Sequence, residues 1–161
     1  MSNVLQHEEY EEDNQVDKFL TFVLENEFYG IDIKHVTEII GIQQITEVPE
    51  VPDYIRGIIN LRGKIIPVMD VRLRFKKDFR EYNDRTCIIV IDVKELSIGL
   101  IVDSVSEVLT IAPEEIVLPP EINQGSNKYV MGIGKVGSEV KLLLNCDKLL
   151  HDEVSEQLLH I

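Results

Sequence analysis

Laid over itself at a displacement of 69 residues, the chain matches: FLTFVLENEFYGIDIKHVTEII falls on IIVIDVKELSIGLIVDSVSEVL. Phe19, Leu20 and Phe22 meet Ile88, Ile89 and Ile91, and Gly30 meets Gly99. Val36, Glu38, Ile39 and Ile40 meet Val105, Glu107, Val108 and Leu109, and Ile42 continues onto Ile111. A second match appears at a displacement of 75, with six inserted residues around Pro119 to Lys128. There Tyr54, Gly57 and Ile58 meet Tyr129, Gly132 and Ile133, while Ile65, Val68 and Met69 meet Val140, Leu143 and Leu144. Apolar positions coincide by chance in many strand-rich chains. Glycines, tyrosines and a glutamate held in register argue instead for two copies of one supersecondary unit.

Each unit spans about 65 residues and reads as four or five short strands with the turn spacing of a small barrel. Phe19 to Leu24 is a β-rich run, Glu25-Asn26-Glu27 a turn, and Phe28 to Ile33 the returning strand. Leu61-Arg62-Gly63-Lys64 predicts a tight hairpin with Gly63 at a positive φ. Cys87 to Val93 and Leu96 to Val102 repeat the strand–turn–strand pattern. Val36, Ile39 and Ile40 are spaced by 3 and 4, which leaves a short helix and an irregular crossover both open. One helical turn can follow Pro52, and Pro67, lacking a donor, places its strand at an edge or a bend.

The first barrel is therefore expected over residues 18–80 and the second over 86–147, with exchange of terminal strands open. Units this small have modest cores, so they should pack together and leave a groove between them as the natural binding site. Residues 1–17 carry Glu8, Glu9, Glu11, Glu12, Asp13 and Asp17 and read as a disordered acidic tail. Residues 148–161 place Leu150, Val154 and Leu158 four apart, a closing amphipathic helix.

Charge narrows the function. Sixteen Lys and Arg against 29 Asp and Glu give a net charge of −13, which opposes binding to phosphate backbones or anionic lipid and otherwise reads as solubility. Apolar runs such as Ile88 to Ile91 are too short to insert into a membrane, and MSNVLQHEEYEED has no signal-peptide pattern, so the expected location is cytoplasmic. Cys87 and Cys146 sit in apolar runs and read as core thiols.

The search for chemistry gives little. Gly132-Ile133-Gly134-Lys135-Val136-Gly137 fits the dinucleotide pattern G-x-G-x-x-G, but a strand follows it rather than a helix, and it aligns with the first copy's hairpin. His7, His35, His151 and His160 lack a second ligand at metal spacing, and a phosphoacceptor role for His35 has nothing to support it. No catalytic residue, metal or cofactor is expected. Glu38 in VTEIIGI and Arg62 in INLRGKII are charges embedded in apolar runs. The structural reading is an ion pair bracing the first barrel, or two unrelated solvated side chains; the functional reading, compatible with it, is a charged centre in an apolar binding patch. Gly57 and Gly99 read as turn or bulge glycines.

The segments FYGIDI, VTEIIG, YIRGIINLRG and IIPVMDVR, in that order, with CIIVIDV, IGLIVDSVSEVL and YVMGIGKV after them, resemble the CheW family of chemotaxis coupling proteins from about Lys18 to Leu150. The resemblance implies an all-β fold of two tandem five-stranded barrels of the Src-homology-3 type around a shared hydrophobic core, with a short C-terminal helix. It implies a non-catalytic adaptor, recruited to membrane receptor arrays. Its partners would be the cytoplasmic tip of methyl-accepting chemoreceptors and the regulatory domain of the histidine kinase CheA. Coupler and kinase would alternate in rings, with weak self-association of the coupler also open. Carried over residue by residue, Val36, Glu38, Gly57, Asn60, Leu61, Arg62, Gly99, Val105 and Val108 form or support the receptor groove. Ile39 and Ile42 are the expected kinase contacts. Two alternatives remain: a double barrel holding a small ligand, and a coupling protein of a non-chemotactic motility system.

Overall fold

The computed structural model describes residues 15–119 and 128–150. The acidic stretch 1–14 and the positions Val154 and Leu158 of the expected closing helix lie outside the described residues. Strands β1 (Lys18–Leu24) and β2 (Glu27–Asp32) form a hairpin, followed by a 3₁₀ turn, Ile33–His35, and β3 (Val36–Gly41). Strands β4 (Ile55–Leu61) and β5 (Lys64–Asp70) lead into helix α1 (Val71–Arg74). The second copy repeats the series as β6 (Cys87–Val93), β7 (Leu96–Val102), β8 (Ser104–Thr110), β9 (Ile116–Val117), β10 (Val130–Val136), β11 (Glu139–Leu144) and α2 (Cys146–Leu149).

The sheets do not follow the copies. One has the order β3-β6-β7-β5-β4 and the other β8-β1-β2-β11-β10-β9, so each copy's first hairpin completes the other copy's sheet. Each exchanged hairpin is joined on one side by an antiparallel pairing, β3–β6 or β1–β8, and on the other by a short parallel one, Val68↔Gly99 to Asp70↔Ile101 or Lys141↔Phe28 to Leu143↔Gly30. Glycine is required there by contact: a Cβ on Gly99 would sit 2.6 Å from Ile88 Cγ2 and 3.0 Å from Val68 Cγ1. The sheets are of the small-barrel type but are not closed. The second has six strands because β9 adds two residues where the first copy makes only an isolated bridge, Thr46↔Ile58.

Local chemistry explains the elements. At the β4–β5 turn Arg62 (φ 52°) and Gly63 (φ 88°) are both left-handed, the two-residue geometry that suits strand twist. Asn60 Oδ1 accepts from the Gly63 N–H at 2.8 Å. The matching β10–β11 turn uses Gly137 at φ 63° followed by Ser138, so the G-x-G-x-x-G segment is indeed hairpin. Asp70 and Asn145, equivalent in the repeat, cap α1 and α2 by accepting from Leu73 N–H (3.3 Å) and Lys148 N–H (3.1 Å).

Three local expectations need correction. Val36, Ile39 and Ile40 lie on a strand, with Thr37 as a bulge between the pairs Val36↔Ile91 and Glu38↔Val90; burial alternates along it, and the helix-like spacing arises because Glu38 takes a half-buried position while Ile39 faces solvent. The segment after Pro52 forms turns rather than a helical turn. Pro67 lies on an interior strand, but β7 pairs with β5 only from Val68 onward, so its missing donor faces no partner on that side. Cys146 is buried, and Cys87 is half-buried at the start of β6.

The core has three parts. A central cluster joins the two sheets through Leu20, Phe22, Tyr29, Ile89, Ile91 and Ile98. An aromatic row runs through it, Phe22–Tyr29–Phe75–Tyr129, with ring centroids 5.5–5.7 Å apart. Each sheet also has its own interior: Ile59, Leu61, Ile66, Val68, Ile88, Val90 and Ile101 in one, and Phe19, Ile111 and Leu143 in the other. At about 25 cal/mol per Å² of apolar area, each fully buried side chain of this size contributes roughly 2–3 kcal/mol.

Candidate functional site

The expected receptor-facing residues fall into three kinds of position. Glu38 is half-buried on β3, and its Oε2 accepts from Arg62 Nη2 across the top of the first sheet. The Arg62 side chain is 70% exposed, so the pair is solvated on one side and available to a third group. Asn60 is exposed beside it at the hairpin. Val36 and Val105, at matching positions on β3 and β8, are half-buried and pack on the central cluster. Val108 is exposed on β8.

The remaining three are interior. Leu61 is buried in the first sheet's core. Gly57 is buried at a bulge with φ 144°, and a Cβ there would sit 2.1 Å from the Thr46 carbonyl oxygen. Gly99 lies in the regular part of β7 rather than at a turn or bulge, and it is the close packing of Ile88 and Val68 that excludes a side chain. These three shape the surface without being able to touch a partner through side chains.

Of the two expected kinase contacts, Ile39 is 43% exposed on β3, an end strand of its sheet. Ile42 is half-buried against the first sheet's interior. The repeat shows what Ile39 belongs to. Its counterpart Val108 is 49% exposed, and the equivalent pair Ile65 and Val140 is 54% and 50% exposed. Each half thus presents the same two apolar side chains to solvent. Ile65 and Val140 were visible as a repeat pair in the sequence, but alternation in β5 and β11 had to be seen before their outward direction could be known.

A charged network was not anticipated. The Arg72 guanidinium donates to both oxygens of Asp103, each at 2.7 Å, and lies 3.3 Å from Glu25 Oε1. Arg72 and Asp103 side chains are 8% and 15% exposed. Burial by itself raises the Asp103 pKa, but hydrogen bonds from Arg72 and from the Glu25 N–H outweigh it and hold the carboxyl below the usual carboxylate range. The Asp103 hydrogen bond in turn raises Arg72. The network borders a pocket of about 160 Å³ where the halves meet, lined by Glu25, Tyr82, Arg80, Arg85 and Ser104 among others and by none of the expected partner-binding residues.

Reactive groups are otherwise occupied. Burial pushes the Cys146 thiol up to about 12, which keeps it protonated. Burial and the hydrogen bond to Glu27 raise the Tyr29 phenol, and burial and the hydrogen bond to Asp70 raise that of Tyr82. Among the described residues no cluster of His, Cys, Asp and Glu could hold a metal, and no helix is long and apolar enough to cross a membrane.

Comparison with known proteins covers nearly all of this fold. The model of the CheW-like domain matches residues 18–154. The chemotaxis protein CheW of Klebsiella aerogenes is 39% identical over 137 residues, covering 84% of this chain and 82% of that protein. The CheW protein of Bacillus subtilis is 32% identical, covering 87% and 90%. The crystal structure of the scaffolding protein TtCheW from Thermoanaerobacter tengcongensis superposes with a TM-score of 0.79 at 37% identity, covering 86% of this chain and 94% of that one.

Proposed function

The chain belongs to the CheW-like domain family and is an adaptor of chemotaxis signalling, and from that premise we propose that it couples the cytoplasmic tip of chemoreceptors to the regulatory domain of the histidine kinase CheA, in the cytoplasm and at membrane arrays. The adaptor performs no chemistry. It fixes the kinase against the receptor, so that a receptor state favouring one arrangement shifts the kinase population by the difference in its contact energies.

The observation that carries this reading is Ile39, a large apolar side chain held in solvent on an end strand beside the Glu38–Arg62 pair. An end strand offers unpaired backbone groups to a second sheet, and the apolar side chain supplies burial. In this reading β3 meets the kinase through Ile39, with Ile42 supporting it from behind. The receptor takes the Val36, Val105 and Val108 side, with Glu38 and Arg62 setting its charge. The small-ligand alternative is not favoured, since the sheet interiors are filled with side chains. Neither is a non-chemotactic system, since the relatives at 39% and 32% identity are both named chemotaxis proteins.

Calorimetric titration with the CheA regulatory domain tests the kinase contact. Saturable one-to-one binding by the wild type, lost in a folded Ile39→Asp variant, is expected; equal binding by the two would remove β3 from the interface. Arg62→Ala should weaken receptor capture while leaving kinase binding and stability within about 1 kcal/mol of wild type, because the pair is solvent-exposed.

A further inference from the structure

We propose that the chain's own acidic stretch, Glu8 to Asp13, docks on the cationic face formed by loop 76–86 and Arg56. Positive charge is confined in this protein: nine of the 16 Lys and Arg fall between residues 54 and 85, with only four of the 29 acids. Elsewhere acids outnumber bases more than three to one; the face itself carries Arg56, Lys76, Lys77, Arg80 and Arg85 against Asp78, Glu81 and Asp84, a positive balance that attracts an acidic peptide.

Its geometry suits such a peptide. Phe79 is 47% exposed, lies 5.0 Å beneath the Arg56 guanidinium, and meets the Tyr82 ring edge-on at 5.5 Å. This apolar platform with cations at its rim can take an aromatic side chain, and Tyr10 sits in the middle of the acidic stretch. Arg80 has a side chain 57% exposed and only a 3.6 Å approach to Asp103, which Arg72 already occupies. Arg85 and Lys76 are exposed and form no ion pair among the described residues. Arg80 and Arg85 line the same pocket as Arg72, and such guanidinium groups are the natural partners of a carboxylate. The loop's own acids, Asp78, Glu81 and Asp84, are exposed and lower its net charge without neutralising these arginines.

Reach is compatible. The chain is pinned at Asp17, whose carbonyl accepts from the Ile111 N–H at 2.9 Å. At about 3.3 Å per residue, β1 carries it roughly 20 Å from Lys18 to Leu24. The next residue, Glu25, contacts Arg72 at 3.3 Å and Lys77 at 3.6 Å. Residues 15–17 form a turn with Asp17 at φ 62°, so extension starts at Gln15, and the seven residues back to Glu8 span at most about 25 Å, enough for the far end of the stretch to cover that distance. Tethering makes the effective concentration of the stretch millimolar in order, so a weak site suffices.

Amide spectra of the full chain by nuclear magnetic resonance decide the matter. Wild type is compared with a variant carrying Glu8→Gln, Glu9→Gln, Glu11→Gln, Glu12→Gln and Asp13→Asn. At 50 mM salt the resonances of residues 76–86 should differ between the two, and at 500 mM the difference should vanish. Arg80→Ala with Arg85→Ala should move the resonances of residues 8–13 as high salt does. Identical loop spectra at 50 mM overturn the proposal, as do changes confined to another face. Differences that grow with protein concentration would assign the contact to a second copy and overturn the intramolecular site.

Discussion

The two halves share one backbone plan but not one interior. In the first sheet Ile59, Ile66 and Val90 are buried among aliphatic neighbours. Their counterparts in the second are Gly134, Lys141 and Thr21. Lys141 is 1% exposed; its ammonium lies 3.6 Å from the Phe28 ring centroid and 2.7 Å from Glu139. Thr21 donates to the Glu107 carbonyl at 2.6 Å and accepts from its N–H at 3.1 Å. Polarity in the second half is satisfied, yet each such group replaces an aliphatic contact in the first. The half bearing Glu38, Arg62 and Ile39 therefore sits on the drier core, and the other half is the softer one.

The largest effect expected separates Gly57 from Gly132. Gly57→Ala places a Cβ 2.1 Å from a backbone oxygen at a φ that side chains avoid, and should cost more than about 4 kcal/mol in urea denaturation. Gly132→Ala meets the Ile116 methyl at 2.6 Å, which can move, and should cost about 1–2 kcal/mol. Equal costs would mean that the halves tolerate strain alike.

Exchanging interiors comes next. Ile66→Lys buries an unpaired charge and should cost about 3 kcal/mol, whereas Lys141→Met should be neutral or stabilise by about 1 kcal/mol. Loss of stability in Lys141→Met comparable to that in Ile66→Lys would make the lysine a keystone rather than a concession.

The ion pairs give a third contrast of similar size. Arg72–Glu25 has its repeat counterpart in Lys94–Asp147, at 3.7 Å with the signs reversed. Arg72→Met strands Asp103 and should cost about 3 kcal/mol; Lys94→Met, with its side chain 72% exposed, should cost under about 0.5. Because the Asp103 pKa is lowered on folding, its contribution is full above the unfolded value near 4 and is lost as pH falls through the lower folded value. The acid limb of a stability–pH curve should therefore flatten in Arg72→Met and persist in Lys94→Met. Smallest is the difference in native hydrogen exchange: amides of β10 and β11 should open about 1–2 kcal/mol more easily than those of β4 and β5. The reverse order would refute the softer second half.

Much of this was written in the chain. The repeat was legible because glycines, tyrosines and Glu38/Glu107 carry constraints that apolar matching does not. The sequence left Glu38 and Arg62 open between an ion pair, two separate solvated side chains and a charged centre of a binding patch, and the structure joins the two side chains. Strand exchange was raised as an option but not decided, since two equal copies look the same whether each hairpin pairs at home or across, and only three residues make each parallel junction. Arg72, Asp103 and Lys141 were not visible. A cation after a strand reads as solvated until the fold shows which neighbour has covered it, and nothing in KLLL marks its lysine as interior.

Exchange also fixes an order of completion during synthesis. The first hairpin leaves the ribosome before every other strand; its antiparallel partner β8 is out at Thr110, but its parallel partner β11 ends only at Leu144. The first sheet closes its roster much earlier, once β7 is out at Val102. A nascent chain thus covers Leu20, Phe22 and Leu24 with Ile89, Ile91, Ile98 and Leu100 once β7 is out, while Phe19 waits longer for Ile111 and Leu143, and it is this oldest segment that a chaperone would meet.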